Sequence, residues 1–362
     1  MNIQEELTQL TEDLIRFRTV DGNDDAFAEI RAFIKGFFED TGLTLTEYEH
    51  NGKVSMLFTK SGNTNPKVLL YGHTDVVDGT DDQFIPKKDG DRLYGRGAMD
   101  MKSGLASMMM LMKENVDTDL DIGLLIVPDE EVGGHDGVVH VLGQGLRPDV
   151  VIMPDGGDRV DRMITKEKGI VRMFLTAHGT PAHGSRPWVG DDAYKKLMHA
   201  ITAIETIITP LDEHPEDHWA TTFVVGTVNS GTAVNAVPHR AIAGCDIRVA
   251  HPDTPESITL KIQEVLPEGV EMKVDLSEEG MVFDDAHPYV SHYRDVLKVH
   301  DMDLVLDKTH GTSDARHFSR YGIPSIQTQP LGGNLHGNEE WVSLSSIHTY
   351  YQVVADFLQK IA

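Results

Sequence analysis

The sequence predicts an α/β protein with a smaller α+β module inserted into its larger domain. Short apolar runs alternate with helical patterns before residue 168, which is typical of a sheet covered by helices on its faces. Residues 169–279 instead follow the order β-α-β-β-α-β of a ferredoxin-like module. The length of 362 residues, 40% of them hydrophobic, also exceeds what one ordinary core accommodates.

The elements of the larger domain are predicted from hydrophobic spacing. Two sets of residues recur at helical spacing and predict helices, namely Leu7, Leu10, Leu14 and Phe17, and Leu105, Met108, Met109 and Met112. Three apolar runs predict buried strands at 68–71, 122–127 and 150–153. After residue 279 the sequence predicts a strand at 323–328 and a final amphipathic helix at 345–360.

The inserted module is predicted over residues 169–279, so that the larger domain comprises residues 1–168 and 280–362. The strands of the module are predicted at 170–178, 221–229, 240–249 and 269–276. Its helices are predicted to begin near Asp191 and near Pro255. The single cysteine, Cys245, is expected to pack as a small buried side chain in one of these strands.

The composition excludes several classes of protein. The 32 basic and 58 acidic residues give a net charge of −26, so no basic field attracts nucleic acid or an anionic membrane. A salt-rich habitat stays open as the origin of part of this charge. One cysteine excludes an intramolecular disulfide and any cysteine-based zinc or iron–sulfur site. The polar N-terminus and the lack of a run of about 18 apolar residues predict a cytoplasmic protein without a membrane segment.

The residues suited to chemistry follow the predicted strands. His73 and Asp75 stand at the end of the first buried strand, where open α/β sheets place ligands. In such a pair the histidine binds a metal and the carboxylate orients it, or the two are a strand-end histidine and a helix cap. Asp100 follows Gly-Arg-Gly and either caps the next helix or bridges two metals.

Two further strands end in acidic residues. Glu130 and Glu131 are adjacent carboxylates, which are costly to bury without a cation. One glutamate can bind a metal while its neighbour takes a proton from water, and the alternative is a solvated acidic turn. Asp155 is a ligand or an ordinary Asp-Gly turn residue. With His336 in a glycine-rich segment, this inventory of nitrogen and oxygen ligands fits a pair of zinc ions, and cobalt or manganese suits similar ligands.

In this order the segments His-x-Asp, Gly-Arg-Gly-x-x-Asp, Glu-Glu, Asp and Gly-x-x-His resemble the zinc-dependent aminoacylase/carboxypeptidase family. That family includes acetylornithine deacetylase, succinyl-diaminopimelate desuccinylase, glutamate carboxypeptidase and aminoacylase. The resemblance covers nearly the whole chain. It implies a mixed-sheet α/β metallohydrolase domain with two zinc ions per subunit, and an inserted lid and dimerisation domain.

The resemblance also implies a role for each matching residue. Asp100 would bridge both metals, with one site completed by His73 and Asp155 and the other by Glu131 and His336. Many relatives have glutamate where this chain has Asp155.

Two residues beside these ligands would take part in catalysis. Asp75 would orient His73, and Glu130 would act as the general base and then as the acid that protonates the leaving amine. The family often has a cis peptide bond after the bridging aspartate, which here is Asp100–Met101.

The resemblance extends to residues of the inserted module and to a segment after it. His183 would reach the active site of the partner subunit and stabilise the oxyanion, or it is a surface turn histidine. Asn235, Arg248, Thr312 and the backbone of Gly311 would hold the substrate carboxylate. Arg248 equally suits a surface ion pair. His310 stands where the desuccinylase has a second glycine, which leaves the substrate open.

The sequence therefore predicts a homodimeric enzyme that hydrolyses the amide bond of a small N-acyl amino acid carrying a free carboxylate. One alternative is a metallo-dipeptidase or carboxypeptidase, which differs in the substrate pocket. Another is a non-catalytic binding protein with the same fold.

Overall fold

The computed structural model describes residues 2–60, 62–208 and 215–361. The chain divides into two compact units. The larger unit comprises Met1–Thr165, Phe283–Thr309 and Ser313–Ala362, and the smaller unit comprises Lys166–Val282 and His310–Thr312. Helices and strands alternate in the larger unit, which confirms the predicted α/β class.

The helices and strands have the following bounds. The helices are α1 (Ile3–Ile15), α2 (Asp24–Phe37), α3 (Ser103–Glu114), α4 (Val138–Gly143), α5 (Ala193–Glu205), α6 (Pro255–Val265), α7 (Pro288–Val299), α8 (Ala315–Ser319) and α9 (Leu344–Ile361). The strands are β1 (Thr44–His50), β2 (Lys53–Thr59), β3 (Val68–His73), β4 (Lys87–Asp89), β5 (Arg92–Tyr94), β6 (Ile122–Val127), β7 (Val150–Met153), β8 (Arg162–Glu167), β9 (Gly169–His178), β10 (Ala182–His183), β11 (Thr222–Ser230), β12 (Ala236–Val237), β13 (Arg240–Val249), β14 (Val270–Glu278), β15 (Val305–Thr309), β16 (Ser325–Gln327), β17 (Gly332–Gly333) and β18 (Trp341–Ser343). Single helical turns lie at Asp81–Phe84, Glu130–Val132 and Pro187–Val189, and an irregular turn with non-helical residues lies at Ala98–Lys102.

The main sheet of the larger unit is mixed. Its strand order over the described residues is β1-β2-β6-β3-β7-β16-β8-β15. Strand β3 runs parallel to β6 and to β7, while β2 is antiparallel to β6. Every residue of β3, β6 and β7 is buried, as the three apolar runs predict. Because these strands are parallel, their carboxyl ends meet at one edge of the sheet.

The helices of the larger unit cover this sheet. Helix α3 packs against β3, α1 and α9, and its Met108, Met109 and Met112 are fully buried, so the methionine stripe belongs to the core. A capping box between Asn2 and Glu5 begins α1. Helix α1 ends at Ile15, two residues before Phe17, the last residue of the predicted helical spacing.

The smaller unit contains a four-stranded antiparallel sheet in the order β11-β13-β9-β14. Helices α5 and α6 pack on it, and the long elements follow the predicted order β-α-β-β-α-β. Cys245 is 5% exposed within the apolar core of this unit, as expected. The short strands β10 and β12, which are not predicted from the sequence, pair at the side of the module that carries His183.

A second short sheet in the larger unit has the order β17-β18-β5-β4. Strand β18 pairs with β5, so the chain around residue 341 lies beside the chain around residue 94. The sheet thereby brings the segments that carry Asp100 and His336 to the same region. In the part of the chain that is described, no helix is long and apolar enough to cross a membrane.

Candidate metal centre

The candidate ligands of the larger unit project from the carboxyl ends of its parallel strands and from two loops. His73 is the last residue of β3, Glu131 follows β6, and Asp155 follows β7. Asp100 lies in the turn before α3, and His336 lies between β17 and β18. His336 has a φ of 60°, a left-handed conformation that is uncommon outside glycine and clusters at functional sites.

These side chains form two donor groups. His73, Asp100 and Asp155 make one, and Asp100, Glu131 and His336 make the other. In each group one donor atom per residue lies within 4.8 Å of the others. Asp100 belongs to both, and its two oxygens face opposite ways. Oδ1 lies 3.0 Å from Nε2 of His73, and Oδ2 lies 3.2 Å from Nε2 of His336. This is the arrangement that a carboxylate bridging two cations requires.

Asp75 contacts one residue of each donor group, His73 in the first and Glu131 in the second. Nδ1 of His73 lies 3.0 Å from the backbone oxygen of Asp75 and 3.3 Å from its Oδ1. These contacts turn Nε2 of His73 toward Asp100. The backbone N–H of Glu131 donates to Oδ2 of Asp75 at 2.8 Å. Asp75 therefore fixes the loop of a second candidate ligand in addition to orienting His73.

The buried carboxylates in and beside the two donor groups favour the binding of cations. Burial and the charge of Asp155 raise the pKa of Glu130 well above its usual range. Burial also raises the pKa of Glu131, whose Oε1 is buried without a hydrogen-bond partner among the described residues. Hydrogen bonds to Asp100 and Glu131 raise the pKa of His336 to about 10. Crowded carboxylates and imidazoles of this kind fit a pair of divalent cations.

The turn that carries Asp100 is not a helix cap. Asp100 has non-helical φ and ψ, and α3 begins only at Ser103. The capping interpretation is therefore wrong. The peptide bond Asp100–Met101 is cis, as the family resemblance implies. Gly97 has a φ of 79°, and a Cβ atom there would lie 2.7 Å from a methyl group of Val76, so glycine is required at this position.

Sequence reasoning missed a buried ion pair that joins these segments. Nη1 of Arg96 lies 2.9 Å from Oε2 of Glu340, and the two residues are 3% and 2% exposed. Glu340 accepts hydrogen bonds from the backbone N–H groups of Gly97, Met99 and Asp100 at 3.0, 2.9 and 3.1 Å. We call this pair the Arg96–Glu340 clamp.

The clamp also holds the other loops of the centre. Nη2 of Arg96 donates to the backbone oxygens of His336 and Asp78, each at 3.2 Å. Asp78 lies three residues after Asp75, so one guanidinium joins the segment that carries Asp75 to the segment that carries His336. The only sequence signal was a glutamate four residues after His336.

The substrate-binding candidates lie in the smaller unit. His183 is exposed on β10 next to β12, and the N–H of Gly184 donates to the backbone oxygen of Asn235 at 2.7 Å, so these loops are neighbours. Arg248 forms an ion pair, which is the alternative to substrate binding that the sequence left open. Its Nε lies 2.9 Å from Oδ1 of Asp246.

The remaining candidates follow the inserted module in sequence. Gly311 is exposed and Thr312 is half-buried, and both belong to the smaller unit. The ring centroid of His310 lies 6.1 Å from that of Trp219 in the same unit.

Comparisons with known proteins show the family of the chain and similar folds. The family model "Peptidase family M20/M25/M40" matches residues 69–360. The chain is similar to a succinyl-diaminopimelate desuccinylase of Bordetella petrii, with 29% identity over 331 residues that cover 86% of this chain and 87% of the relative. A tripeptidase of Staphylococcus aureus has a similar structure, with a TM-score of 0.81, 21% identity and 98% of each chain covered. A dinuclear metal-binding peptidase of Bacillus subtilis has a TM-score of 0.71 at 14% identity, with 99% of each chain covered.

The Arg96–Glu340 clamp predicts a loss of metal affinity on substitution. Glu340→Gln keeps the side-chain volume but removes the charge that pairs with Arg96. We expect it to weaken zinc binding about 10- to 100-fold, because residues that orient ligands contribute this much. Competition with a chromogenic chelator measures the affinity, and Glu339→Gln at an exposed neighbouring position is the matched control.

Folding must be separated from metal binding in this experiment, because breaking a buried ion pair also destabilises a protein. The melting temperature of the metal-free variant provides that separation. A Glu340→Gln protein that is folded and binds zinc as tightly as the Glu339→Gln control would contradict the positioning role of the clamp.

Proposed function

The chain belongs to the peptidase family M20/M25/M40 and is a metal-dependent hydrolase of amide bonds, and from this premise we propose that it cleaves a small N-acyl amino acid. The observation that supports this most is the pair of donor groups that share Asp100 beside Glu130. The name of the desuccinylase relative supports an acyl amino acid as substrate. A metallo-dipeptidase or carboxypeptidase is the second candidate, favoured by the structural similarity to a tripeptidase.

The five ligand candidates would hold two divalent cations. His73 and Asp155 would bind one, Glu131 and His336 the other, and Asp100 both. We assign zinc because the donors are imidazole nitrogens and carboxylate oxygens, and cobalt or manganese suits the same set. Such ions, when bound, polarise a carbonyl group and acidify water.

The side chains then move the protons of the reaction. Glu130 takes a proton from the attacking water and later gives it to the departing amine. The charges of Asp155 and Asp100 act on Glu130, which supports its position beside both donor groups. Asp75 holds the ring of His73 and the backbone of Glu131, so that neither ligand turns away.

We assign catalysis to the larger unit and a lid and dimerisation role to the smaller one. His183 of the partner subunit would stabilise the oxyanion, and its exposure on β10 supports this role. Asn235, Thr312, the backbone of Gly311 and the terminal nitrogens of Arg248 would hold the free carboxylate of the substrate.

We also propose a cytoplasmic homodimer. Strand β11 stands at an edge of its sheet and exposes Val224 and Val228, with exposed fractions of 57% and 46%, which supports an interface in the smaller unit.

Glu130→Gln tests the proton-transfer role. We expect kcat for an N-acyl amino acid to fall by about 10²- to 10⁴-fold, because the variant cannot accept a proton. Its metal content should match that of the parent enzyme, since Glu130 is not among the ligands. Plasma emission spectrometry measures the metal, and Glu339→Gln is the control. Near-parental kcat in Glu130→Gln would refute the role.

His336→Ala tests the two donor groups separately. We expect it to retain the site of His73 and Asp155 and to lose tight binding at the other, so that calorimetric titration with zinc gives one tight site where the parent gives two. His199→Ala, at an exposed position on α5, should bind like the parent. Unchanged stoichiometry in His336→Ala would exclude this histidine as a ligand.

Mixing two inactive variants tests the shared site. A heterodimer of His183→Ala and Glu130→Ala contains one site in which both residues are intact, so we expect activity to return after subunit exchange. Native mass spectrometry verifies the heterodimer. A verified heterodimer without activity would show that His183 does not act across the interface.

A further inference from the structure

A cavity of about 390 Å³ lies beside the second donor group, in the larger unit. We propose that this cavity binds the acyl chain of the substrate, and that the preferred chain is an uncharged aliphatic group rather than a succinyl group. The proposal rests on the proposed function and adds the substrate class to it. The volume lies in the range of ligand pockets.

The position of the cavity fits an acyl chain. Glu131 and Asp75 line it, and Oε2 of Glu131 lies 3.3 Å from Nε2 of His336 within the donor group. The acyl chain of an amide is bonded directly to the carbonyl carbon that is attacked. It therefore needs space next to the donor groups, and the cavity supplies this space without involving the smaller unit.

The chemistry of the walls favours a hydrocarbon chain. Most of the lining is apolar and comes from Val20, Phe27, Val76, Val77, Pro128 and Val132. Phe27 and Val76 are 4% and 3% exposed, so these walls belong to the core and are fixed in place. Burial of each methylene of a chain against such walls is favourable.

The positive charge of Lys53, which lines the cavity, is already paired with a carboxylate. Lys53 places its Nζ 2.9 Å from Oδ1 of Asp21 and 5.0 Å from the ring centroid of Phe27. Asp21 also lines the cavity, and Lys53 lowers its pKa. The pair is therefore close to neutral and leaves no net positive charge to attract the carboxylate of a succinyl chain.

The remaining charged groups of the lining are acidic. Asp75, Asp78 and Glu131 line the cavity in addition to Asp21, and Asp78 pairs with Arg18 at 3.3 Å. A carboxylate that entered would lose its water and find no unpaired cationic side chain in the described lining, which disfavours it. A cationic chain would have to compete with Lys53 for Asp21. An uncharged chain meets neither cost.

The test compares four N-acyl derivatives of L-alanine with the zinc enzyme. Acetyl, butanoyl, hexanoyl and succinyl groups differ in length and charge, and butanoyl and succinyl have the same number of carbon atoms. We expect kcat/KM to rise about tenfold or more from acetyl to hexanoyl, and to be about tenfold lower for succinyl than for butanoyl. A succinyl derivative that is hydrolysed best would overturn the proposal.

A variant that fills the cavity localises the effect. Val20 is half-buried in the lining, and Val20→Phe should lower the ratio of kcat/KM for hexanoyl over acetyl by about tenfold. Val305→Phe, at an exposed position of strand β15 outside the cavity, should leave the ratio as in the parent. An equal loss for all four substrates in Val20→Phe would show that the chain binds elsewhere.

Binding without turnover distinguishes this proposal from the proposed function. Calorimetry with the Glu130→Gln enzyme should give a Kd for N-hexanoyl-alanine about tenfold lower than for N-succinyl-alanine. If the parent enzyme hydrolysed none of the four amides, the proposed function would fail, and the same calorimetric comparison would still decide the cavity assignment. Equal or reversed Kd values would overturn it.

Discussion

Carboxylates approach one another closely at one edge of the main sheet, and positive charge has to offset their repulsion. Asp100, Glu131 and Asp155 place oxygens in donor groups only 4.8 Å wide, and Glu130 lies beside them. Without cations, burial and mutual repulsion raise the pKa of both glutamates. The carboxylates are nevertheless close together, because the carboxyl ends of three parallel, fully buried strands meet at this edge. Divalent cations bound there would offset the repulsion, and their binding free energy would stabilise the folded chain.

The residues around the donors are fixed before a cation binds. The Arg96–Glu340 clamp holds the turn of Asp100 through backbone N–H groups and holds the loop of His336 through a carbonyl oxygen. Asp75 does the same for His73 and Glu131. Ligands preorganised in this way do not need to be ordered during binding, and a bound substrate carbonyl would meet a defined geometry. In the proposed function, the apolar cavity beside Glu131 selects among acyl chains by their shape and charge.

The sequence predicted the parts of the structure that local patterns encode. Strands β3, β6 and β7 are buried on both faces, so they appear as apolar runs, and the donors stand directly after them. The repeated alternation between residues 169 and 279 likewise predicted the module order. The Arg96–Glu340 clamp could not be predicted in this way, because its partners are 244 residues apart. Strands of two or three residues, such as β5 and β17, are too short for a period to be recognised. The cavity combines Val20, Lys53, Val76 and Val132 from separate segments, and only the folded chain brings them together.

The central claim is that Asp100 bridges two cations held by this set of side chains. Anomalous X-ray diffraction at the zinc edge, from crystals grown with zinc, tests it directly. The account predicts two peaks per chain, both about 2.0–2.2 Å from oxygens of Asp100, one beside His73 and Asp155 and the other beside Glu131 and His336. A single peak per chain, or peaks that Asp100 does not contact, would contradict it.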